Sequence, residues 1–518
     1  MSTSRGTSRG AWSLAGVVAG YAGLATSYCV ASLATTHGSP VVAVADLVIR
    51  ETPGSAAERA IQVFKHHDKT ALVIGILVLL TVLFAVAGAL ARRGWAGPTV
   101  VFGGLTVVGV LAVASRRGES LVEYVALLIG LLTWFGCLAL LTGPLREPAT
   151  AAEPAVGTGA PPPAHSRRAF LVRAGVVAVA AVAVGAAGRA VGAGRRQVEQ
   201  ARRLLRLPGV TKPQVPDGVA VDVAGMPPWA TPSDAFYRID TAIVVPALEP
   251  DGWRLRIHGL VDREVEITYQ DLVDRQRTEA WVTICCVSNE VGGDLIGNAW
   301  WSGVRVAELL REVGVQDGAD AVLQTSSDGW TCGTPLSVLT DDRDAMLAIA
   351  MNGDPLPIEH GFPVRTIVPG LYGYVSACKW VVDLEVTRFS DISAYWTERG
   401  WSELGPVKMS SRIDVPRDGG DVAASGGRVA GVAWAQHTGI AGVEVSVDEG
   451  DWQAADLARV PSDDTWVQWA ATLDVDPGDH TLRVRATDTT GLVQTGEPHD
   501  VVPDGATGWH TIRFRATG

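Results

Sequence analysis

The sequence predicts a multi-domain protein in which amino-terminal, all-α membrane helices precede an α+β domain and a carboxy-terminal β-sandwich. Three features predict this order: long apolar stretches before residue 143, strands mixed with short helices from about residue 208, and short alternating strands from about residue 400. A length of 518 residues suits two to four domains. The hydrophobic fraction of 47% and the mean hydropathy of +0.20 indicate that part of the chain lies in lipid.

Region 1–143 is predicted to form four transmembrane helices in a lipid membrane. The apolar stretches span about residues 12–34, 70–91, 98–115 and 121–142, and each is long enough to cross a bilayer. Arg5 and Arg9 precede the first stretch, and Arg92 and Arg93 follow the second. Since basic residues favour the cytoplasmic side, we expect a multi-pass protein of the cell membrane with a cytoplasmic amino terminus.

A Pro- and Ala-rich linker, 144–165, follows and is predicted to be extended. Segment 166–194 begins with Ser-Arg-Arg-Ala-Phe-Leu and continues into an apolar run, which is typical of a twin-arginine export signal. Such a segment is either cleaved or retained as a fifth helix, and it places the next domain outside the cytoplasm. An ordinary charged flank of a membrane helix is the alternative. If the next domain is exported, a cluster of arginines lies outside the cytoplasm, against the positive-inside rule. These arginines are at positions 195, 196, 202, 203 and 206, and they keep a cytoplasmic location of that domain as an alternative.

Composition argues against several functions. The formal net charge is -12 and no basic run contains interleaved aromatic residues, so we expect no nucleic-acid partner. The histidines before the linker, at positions 37, 66 and 67, lie outside the apolar stretches, so we expect no haem. Those stretches contain few charged residues, which disfavours a transport path.

The segment around Cys286 is the strongest candidate for a reactive site. An apolar, strand-like run ends at Cys285 and Cys286, and Val-Ser-Asn-Glu and a glycine-rich loop follow. This pattern presents one side chain at the end of a strand, with bare backbone around it. A single thiolate is a soft ligand that can hold a transition metal whose other ligands come from a cofactor.

Two neighbouring stretches resemble the cysteine segment of the sulfite oxidase-like molybdopterin oxidoreductases. They are Cys-Val-Ser-Asn at 286–289 and Gly-Gly-Asp-Leu-Ile-Gly-Asn-Ala-Trp-Trp at 292–301. The resemblance implies a molybdopterin-binding α+β domain over 208–395. It implies that Cys286 ligates molybdenum, which a molybdopterin also holds, and that Asn289 lies at the cofactor. Cys285 is expected to face the other way, because neighbouring side chains of a strand alternate.

Two further segments resemble cofactor-binding parts of that family. The first is Phe-Tyr-Arg at 236–238, and the second runs from position 360 to position 380. The cofactor-binding residues that the resemblance implies are Phe236, Tyr237, Arg238, His360, Arg365, Gly370, Lys379 and Trp380. The chemistry fits a pterin phosphate, because arginine offers a bidentate fork and lysine a point charge.

The resemblance implies an enzyme that performs two-electron oxygen-atom transfer on an oxyanion, S-oxide or N-oxide, with a separate electron-transfer partner. Glu290 and Tyr372 are candidate catalytic residues together with Cys286. Glu290 stands where sulfite oxidases carry an arginine, and Ile349 stands where they carry a tyrosine. An acidic Glu290 repels sulfite and Ile349 cannot hydrogen-bond, so an S-oxide or N-oxide reductase is the alternative. A non-catalytic binding module on the same fold is a second alternative.

Region 400–518 contains short strands separated by turn residues, which is typical of an immunoglobulin-like β-sandwich. Gly-Val-Glu-Val-Ser-Val-Asp at 442–448 and Arg-Ala-Thr-Asp at 485–488 resemble parts of the family's carboxy-terminal dimerisation domain. The resemblance therefore implies a two-fold homodimer.

Overall fold

The computed structural model describes residues 9–34, 40–52, 68–115, 121–146, 165–191 and 194–518. The chain divides into two compact units, Met1–Gln197 with Thr241–Pro246, and Val198–Asp240 with Ala247–Gly518. Several features predicted above lie outside the described residues. They are Arg5, residues 147–164 of the linker, the histidines at 37, 66 and 67, and the side chains at 166, 167, 195 and 196.

The first unit is helical because its apolar stretches are longer than strands and apolar on every side. Its helices are α1 (Arg9–Ala34), α2 (Pro40–Glu51), α3 (Asp68–Ala91), α4 (Ala96–Ala114), α5 (Leu121–Arg146) and α6 (His165–Val191). Among the described residues, five helices, α1 and α3 to α6, are long and apolar enough to cross a membrane. The predicted amino-terminal helices are confirmed, and α6 coincides with the segment predicted as an export signal or fifth helix. A further helix, α7 (Gly194–Leu204), leads into the second unit.

Helix α1 packs against α3, α5 and α6. Its close approach to α3 depends on glycine, since a Cβ at Gly16 would lie 2.6 Å from the backbone nitrogen of Gly88. Trp134 of α5 donates its indole N–H to the carbonyl of Gly20 at 2.9 Å. Small residues therefore allow these helix backbones to touch, as is common between helices in membranes.

Two five-stranded sheets form the α+β part of the second unit within the described residues 194–518. The strands are β1 (Arg254–Gly259), β2 (Val265–Thr268), β3 (Thr278–Cys285), β4 (Ile296–Arg305), β5 (Ala321–Ser326), β6 (Thr331–Pro335), β7 (Met346–Met351), β8 (Asp354–Pro355), β9 (Arg365–Ile367) and β10 (Val381–Thr387). One sheet has the order β2-β1-β10-β5-β6, and the other has the order β3-β4-β7-β8 with β9 paired to β7. Short helices connect the strands: α8 (Tyr269–Asp274), α9 (Val306–Val313), α10 (Leu336–Thr340) and α11 (Gly373–Ser376).

Local sequence explains how several of these elements begin and end. Thr268 caps α8, because its Oγ1 accepts the Asp271 N–H at 3.1 Å while the Asp271 carboxylate accepts the Thr268 N–H at 2.8 Å. Gly314, with a φ of +72°, ends α9. Asn352 and Gly353 have φ values of +53° and +80° in the tight turn between β7 and β8.

The carboxy-terminal region consists of two sheets around one apolar core. Its strands are β11 (Ser410–Val415), β12 (Gly420–Ala423), β13 (Gly427–Trp434), β14 (Ile440–Val447), β15 (Gln453–Ala454), β16 (Asp456–Leu457), β17 (Val467–Leu473), β18 (Gly478–Asp488) and β19 (His510–Thr517). The orders are β11-β13-β17-β16 and β12-β19-β18-β14-β15. Val429 and Trp469 from the first sheet share the core with Val443, Leu482 and Phe514 from the second.

This two-sheet domain holds strand β3, which leads to Cys286. The N–H of Thr283 donates to the carbonyl of Asp464 at 2.9 Å, and its Oγ1 accepts the N–H of Trp466 at 2.8 Å. Trp229 and Trp466 each donate an indole N–H to the other's carbonyl, at 3.2 and 2.9 Å. Strand β3 is therefore fixed by residues far along the chain.

Candidate functional site

Cys286 begins a closed loop between β3 and β4. Its N–H donates to the carbonyl of Leu295 at 2.9 Å, and its carbonyl accepts the N–H of Asn289 at 3.0 Å. The side-chain oxygen of Asn289 in turn accepts the N–H of Leu295 at 2.8 Å. Asn289 therefore fixes the backbone that presents the cysteine.

The glycines of this loop allow it to lie against the two-sheet domain. Gly292 has a φ of +79°, and a Cβ there would overlap the ring of His510. Arg412 donates from Nη1 to the carbonyl of Gly293 at 2.7 Å. A Cβ at Gly293 would also lie 2.7 Å from the side-chain oxygen of Asn289. Larger residues at these two positions would thus displace the cysteine loop.

The adjacent cysteines are both buried, Cys285 more completely than Cys286. The Cys285 thiol donates to the carbonyl of Cys286 at 3.4 Å. Burial raises the pKa of the Cys286 thiol above its ordinary value, while hydrogen bonds from Ser288 and the positive charge of Lys379 oppose the rise. A cation therefore lies close enough to Cys286 to favour its thiolate.

Aromatic side chains surround the predicted Phe-Tyr-Arg segment. Phe236 stacks on Tyr237 with ring centres 5.3 Å apart, and it meets Trp301 and His360 edge-on at 5.9 and 5.8 Å. Burial raises the pKa of the Tyr237 hydroxyl well above its ordinary range, and the nearby Cys286 raises it further. The segment therefore lies between the cysteine and His360.

Three cations and one carboxylate lie beside these rings. Arg238 and Lys379 both donate to Oδ2 of Asp240, at 2.8 and 3.2 Å. Burial lowers the pKa of Lys379 to about 8, although Asp240 opposes this. Arg365 is buried with its guanidinium 5.1 Å from the centre of the Trp301 ring, and burial lowers its pKa to about 10. Arg365 has no carboxylate partner in the part of the chain that the structure describes, so positive charge is in excess here.

His360 is neutral and carries its proton on Nε2. That nitrogen lies 3.0 Å from the carbonyl of Ser233, which can only accept, so Nε2–H donates. Burial lowers the pKa of His360 to about 3, and the charges of Lys379 and Arg365 contribute. The imidazole therefore offers Nδ1 as a hydrogen-bond acceptor.

A cavity of about 640 Å³ opens next to this group, and we call it the arginine-lined cavity. Ser233, Phe236, Arg238 and His360 contribute to its wall. Its volume suits a cofactor-sized ligand. The Arg238 guanidinium and the rings of Phe236 and His360 in this wall fit an anionic ligand that carries a flat ring.

Other predicted residues lie in different surroundings. Trp380 is buried with a φ of +52° and donates its indole N–H to the carbonyl of Ile358 at 2.9 Å. Gly370 has a φ of +82°, and the atoms nearest to a Cβ there belong to Arg343, Gln436 and His437.

The two remaining catalytic candidates, Tyr372 and Glu290, differ in their exposure to solvent. The buried Tyr372 has its hydroxyl bonded to the N–H of Lys408 at 3.3 Å. Glu290 is exposed on the cysteine loop. The structure thus groups Phe236, Tyr237, Arg238, His360, Arg365, Lys379 and Trp380 near Cys286, but it does not bring Gly370 into that group.

Some positioning residues were not predicted from the sequence. Asp240 follows Arg238 by two residues, a spacing that places both side chains on one side of an extended segment. Asn352 donates to the carbonyl of Thr231 at 3.0 Å and to Oγ of Ser233 at 3.1 Å, which fixes the segment before Phe236. The Asn-Gly pair in the sequence indicates the turn between β7 and β8, but it does not indicate that Asn352 contacts Thr231 and Ser233.

A thiol presented after a strand, cations near it and a cofactor-sized cavity together suit a cofactor-binding site, and comparison with known sequences specifies the class of protein. Residues 242–396 match the family model described as "Oxidoreductase molybdopterin binding domain". The uncharacterized oxidoreductase YuiH of Bacillus subtilis (strain 168) is 31% identical over 188 residues, which cover 36% of this chain and 91% of YuiH. Human mitochondrial sulfite oxidase is 28% identical over 305 residues, which cover 49% of this chain and 55% of that protein.

The chain therefore spans about half the length of the sulfite oxidases that it matches. Among solved structures, the sulfane dehydrogenase SoxCD from Paracoccus pantotrophus is 24% identical and has a TM-score of 0.47, covering 54% of this chain and 80% of that one.

The chain belongs to the sulfite oxidase-like molybdopterin oxidoreductases, and it is an oxidoreductase enzyme. The resemblance seen in the cysteine segment is thereby confirmed. The matched domain implies a molybdenum–molybdopterin cofactor and a small-molecule substrate. The excess positive charge at Lys379 and Arg365 fits such a cofactor, because its phosphate is anionic.

Proposed function

We propose that this chain is a membrane-anchored molybdenum enzyme that performs two-electron oxygen-atom transfer on a small substrate. The observation that carries the proposal is Cys286 directly after β3, grouped with the nearly buried Lys379 and the buried Arg365. A soft thiolate and a set of cations suit a metal bound to an anionic pterin. When bound, the cofactor supplies the redox chemistry, and the protein binds and orients it.

Each residue of the group has a role in this proposal. Cys286 ligates the metal, and Asn289 holds the loop that presents it. Arg365 and Lys379 bind the anionic parts of the cofactor, while Arg238 shares the Asp240 carboxylate with Lys379. Phe236, Tyr237 and Trp380 form walls, and the free acceptor of neutral His360 suits an N–H of a pterin ring. Tyr372 and Glu290 stay candidates at the edge of this group, and Gly370 stays a candidate although it lies beside Arg343 and His437 instead.

Reduction of S-oxides or N-oxides is the second candidate function. The exposed carboxylate of Glu290 lies on the loop that carries Cys286, where it repels an approaching anion such as sulfite. Ile349 is buried in β7 and offers no hydroxyl group. A neutral oxide avoids the electrostatic penalty, so these two positions favour reduction of a neutral substrate.

The proposal also covers the arrangement of the whole chain. The membrane helices would occupy region 1–143, the linker 144–165, and the export segment or fifth helix 166–194. The catalytic domain would occupy 208–395 and the immunoglobulin-like domain 400–518. The five apolar helices support anchoring in a membrane. We propose further that the catalytic domain is extracytoplasmic, that the two-sheet domain forms a homodimer, and that a separate protein exchanges electrons with the enzyme.

Metal and pterin content test the proposal. The full chain would be expressed in a host that makes molybdenum cofactor, purified in detergent, and assayed for both per chain, beside Cys286→Ala and the matched control Cys285→Ala. We expect about one metal and one pterin per parent chain, loss of activity in Cys286→Ala, and retained activity in the control. A folded parent with neither metal nor pterin would refute the proposal in favour of a binding module. Sulfite with an artificial acceptor, and S-oxides or N-oxides with an artificial donor, then separate the two reactions.

A further inference from the structure

Residues 198–206, which we call the basic arm, belong to the second unit, and Arg202, Arg203, Leu205 and Arg206 of this arm line the arginine-lined cavity. They lie outside the region 242–396 that matches the family model. Val198 is buried, and Leu205 packs against the core of the second unit. Arg202 donates from Nη1 to the carbonyl of Pro355 at 3.1 Å, next to the cavity. The arm is therefore seated on the domain by apolar contacts and a hydrogen bond.

The arm changes the balance of charge around the cavity. The charged side chains in the wall are Arg202, Arg203, Arg206, Arg238, Asp234, Asp354 and Glu359. The wall has four arginines and three carboxylates, and Glu199 of the arm offsets one further charge by pairing with Arg202 and Arg203, so the charges balance; without the arm one arginine would face all three carboxylates. Since His360 is neutral, the arm removes a negative excess that would otherwise repel an anion from the cavity.

Two of the three arginines in the arm form ion pairs with a carboxylate, and the third does not within the described residues. Glu199 binds Arg202 at 2.9 Å and Arg203 at 2.8 Å. Arg206 is exposed and has no ion pair or hydrogen bond within the described residues. Arg202 therefore fixes the arm, while Arg206 and the largely exposed Arg203 can turn to a ligand in the cavity.

We propose that the basic arm completes the phosphate-binding end of the cofactor site, with Arg203 and Arg206 retaining the phosphate of the bound pterin. The inference rests on the proposed function, because it requires the cofactor to occupy this cavity. A guanidinium matches a phosphate through two parallel hydrogen bonds, and Arg238 supplies a further guanidinium in the same wall. A segment outside the region that matches the family model thereby controls how long the cofactor stays bound.

The test compares pterin loss between charge variants of the full chain. Proteins purified in detergent would be dialysed, and the pterin remaining per chain would be released and quantified over time. Arg203→Gln combined with Arg206→Gln is expected to lose pterin about tenfold faster than the parent, a change of about 1.4 kcal/mol in the dissociation barrier. Arg428→Gln combined with Arg513→Gln is the matched control, since it removes the same charge from exposed positions in β13 and β19. It should lose pterin at the parental rate.

A carboxylate variant separates an electrostatic role from a structural one. Asp354→Asn removes a negative charge from the cavity wall and is expected to slow pterin loss below the parental rate. The thermal unfolding midpoint of the apoprotein should be unchanged in the arginine pair variant. A parent that contains about one pterin, with an arm variant that releases it at the same rate, overturns the role of the arm and leaves the proposed function standing. A folded parent with no pterin overturns both.

Discussion

At the scale of single residues, His510 joins the two-sheet domain to the cysteine loop. Its Nδ1 accepts the N–H of Ile413 at 2.9 Å, and its ring occupies the space that a side chain at Gly292 would need. Burial lowers the pKa of His510 to about 4, and the positive charge of Arg412 contributes. His510 is therefore neutral in the folded protein at pH 7, and protonation removes its acceptor nitrogen.

This residue should make the protein sensitive to acid. Below the ordinary histidine pKa of about 6.5, the unfolded chain binds a proton at position 510 that the folded chain does not bind. The free energy of unfolding therefore decreases as the pH is lowered. The loss reaches about 3 kcal/mol near the lowered pKa, and His360 acts in the same direction. Thermal unfolding midpoints between pH 4 and 7 should fall less steeply in His510→Gln, whose amide oxygen still accepts a hydrogen bond.

The exposed His499 provides the control for this measurement. His499→Gln should keep the parental dependence on pH. Identical slopes in the parent and both variants would contradict the assignment of acid sensitivity to His510.

At the scale of elements, strand β3 depends on partners outside its own sheet. Oγ1 of Thr283 accepts the N–H of Trp466 at 2.8 Å and donates to the side-chain oxygen of Asn298 at 3.1 Å. All three residues are buried. A change at this one hydroxyl therefore affects both β4 and the two-sheet domain.

Thr283→Val should destabilise the second unit by about 1–3 kcal/mol, because valine has the same shape but leaves buried polar groups unpaired. The measurement is the thermal unfolding midpoint, with pterin content as a second readout. Thr278→Val, at the start of the same strand, should have little effect. Equal midpoints in the two variants would show that the Thr283 hydroxyl does not support β3.

The crossing of α1 and α3 gives a second prediction at this scale. Gly16→Leu should lower the stability of the first unit by about 1–3 kcal/mol or more, because a side chain there meets the backbone of Gly88. Gly75→Leu in α3 is the control, since a Cβ at Gly75 meets nothing within 4 Å. Yield of monodisperse protein in detergent and its unfolding midpoint measure the difference. Equal behaviour of the two variants would disprove close packing at Gly16.

At the scale of the whole molecule, the proposed export of the catalytic domain can be tested by protease access. Protease added outside intact spheroplasts should digest the second unit of the parent. Arg167→Lys combined with Arg168→Lys keeps the positive charge but removes the twin arginine, so the unit should become protected. Arg92→Lys combined with Arg93→Lys should behave like the parent. Protection of the parent would place the catalytic domain in the cytoplasm.

The order of regions could be predicted because each has its own periodicity and hydrophobicity. Apolar length indicated the helices, and separated short motifs indicated residues that the structure groups near Cys286. The surroundings of Gly370 and Tyr372 could not be predicted, because they are set by Arg343, His437 and Lys408 elsewhere in the chain. The sequence related the arginines at 202, 203 and 206 only to membrane topology, where they oppose the positive-inside rule for an exported domain, because their position in a cavity wall depends on long-range packing.

The dependence of the cysteine loop on β19 has a consequence for biosynthesis. Cys286 leaves the ribosome long before His510 is made, yet His510 and Arg412 support the loop that contains it. A nascent or prematurely terminated chain therefore lacks the scaffold of a finished metal site. We expect that molybdenum is bound only after β19 has been synthesised and folded, because incomplete chains lack the residues that support the cysteine loop.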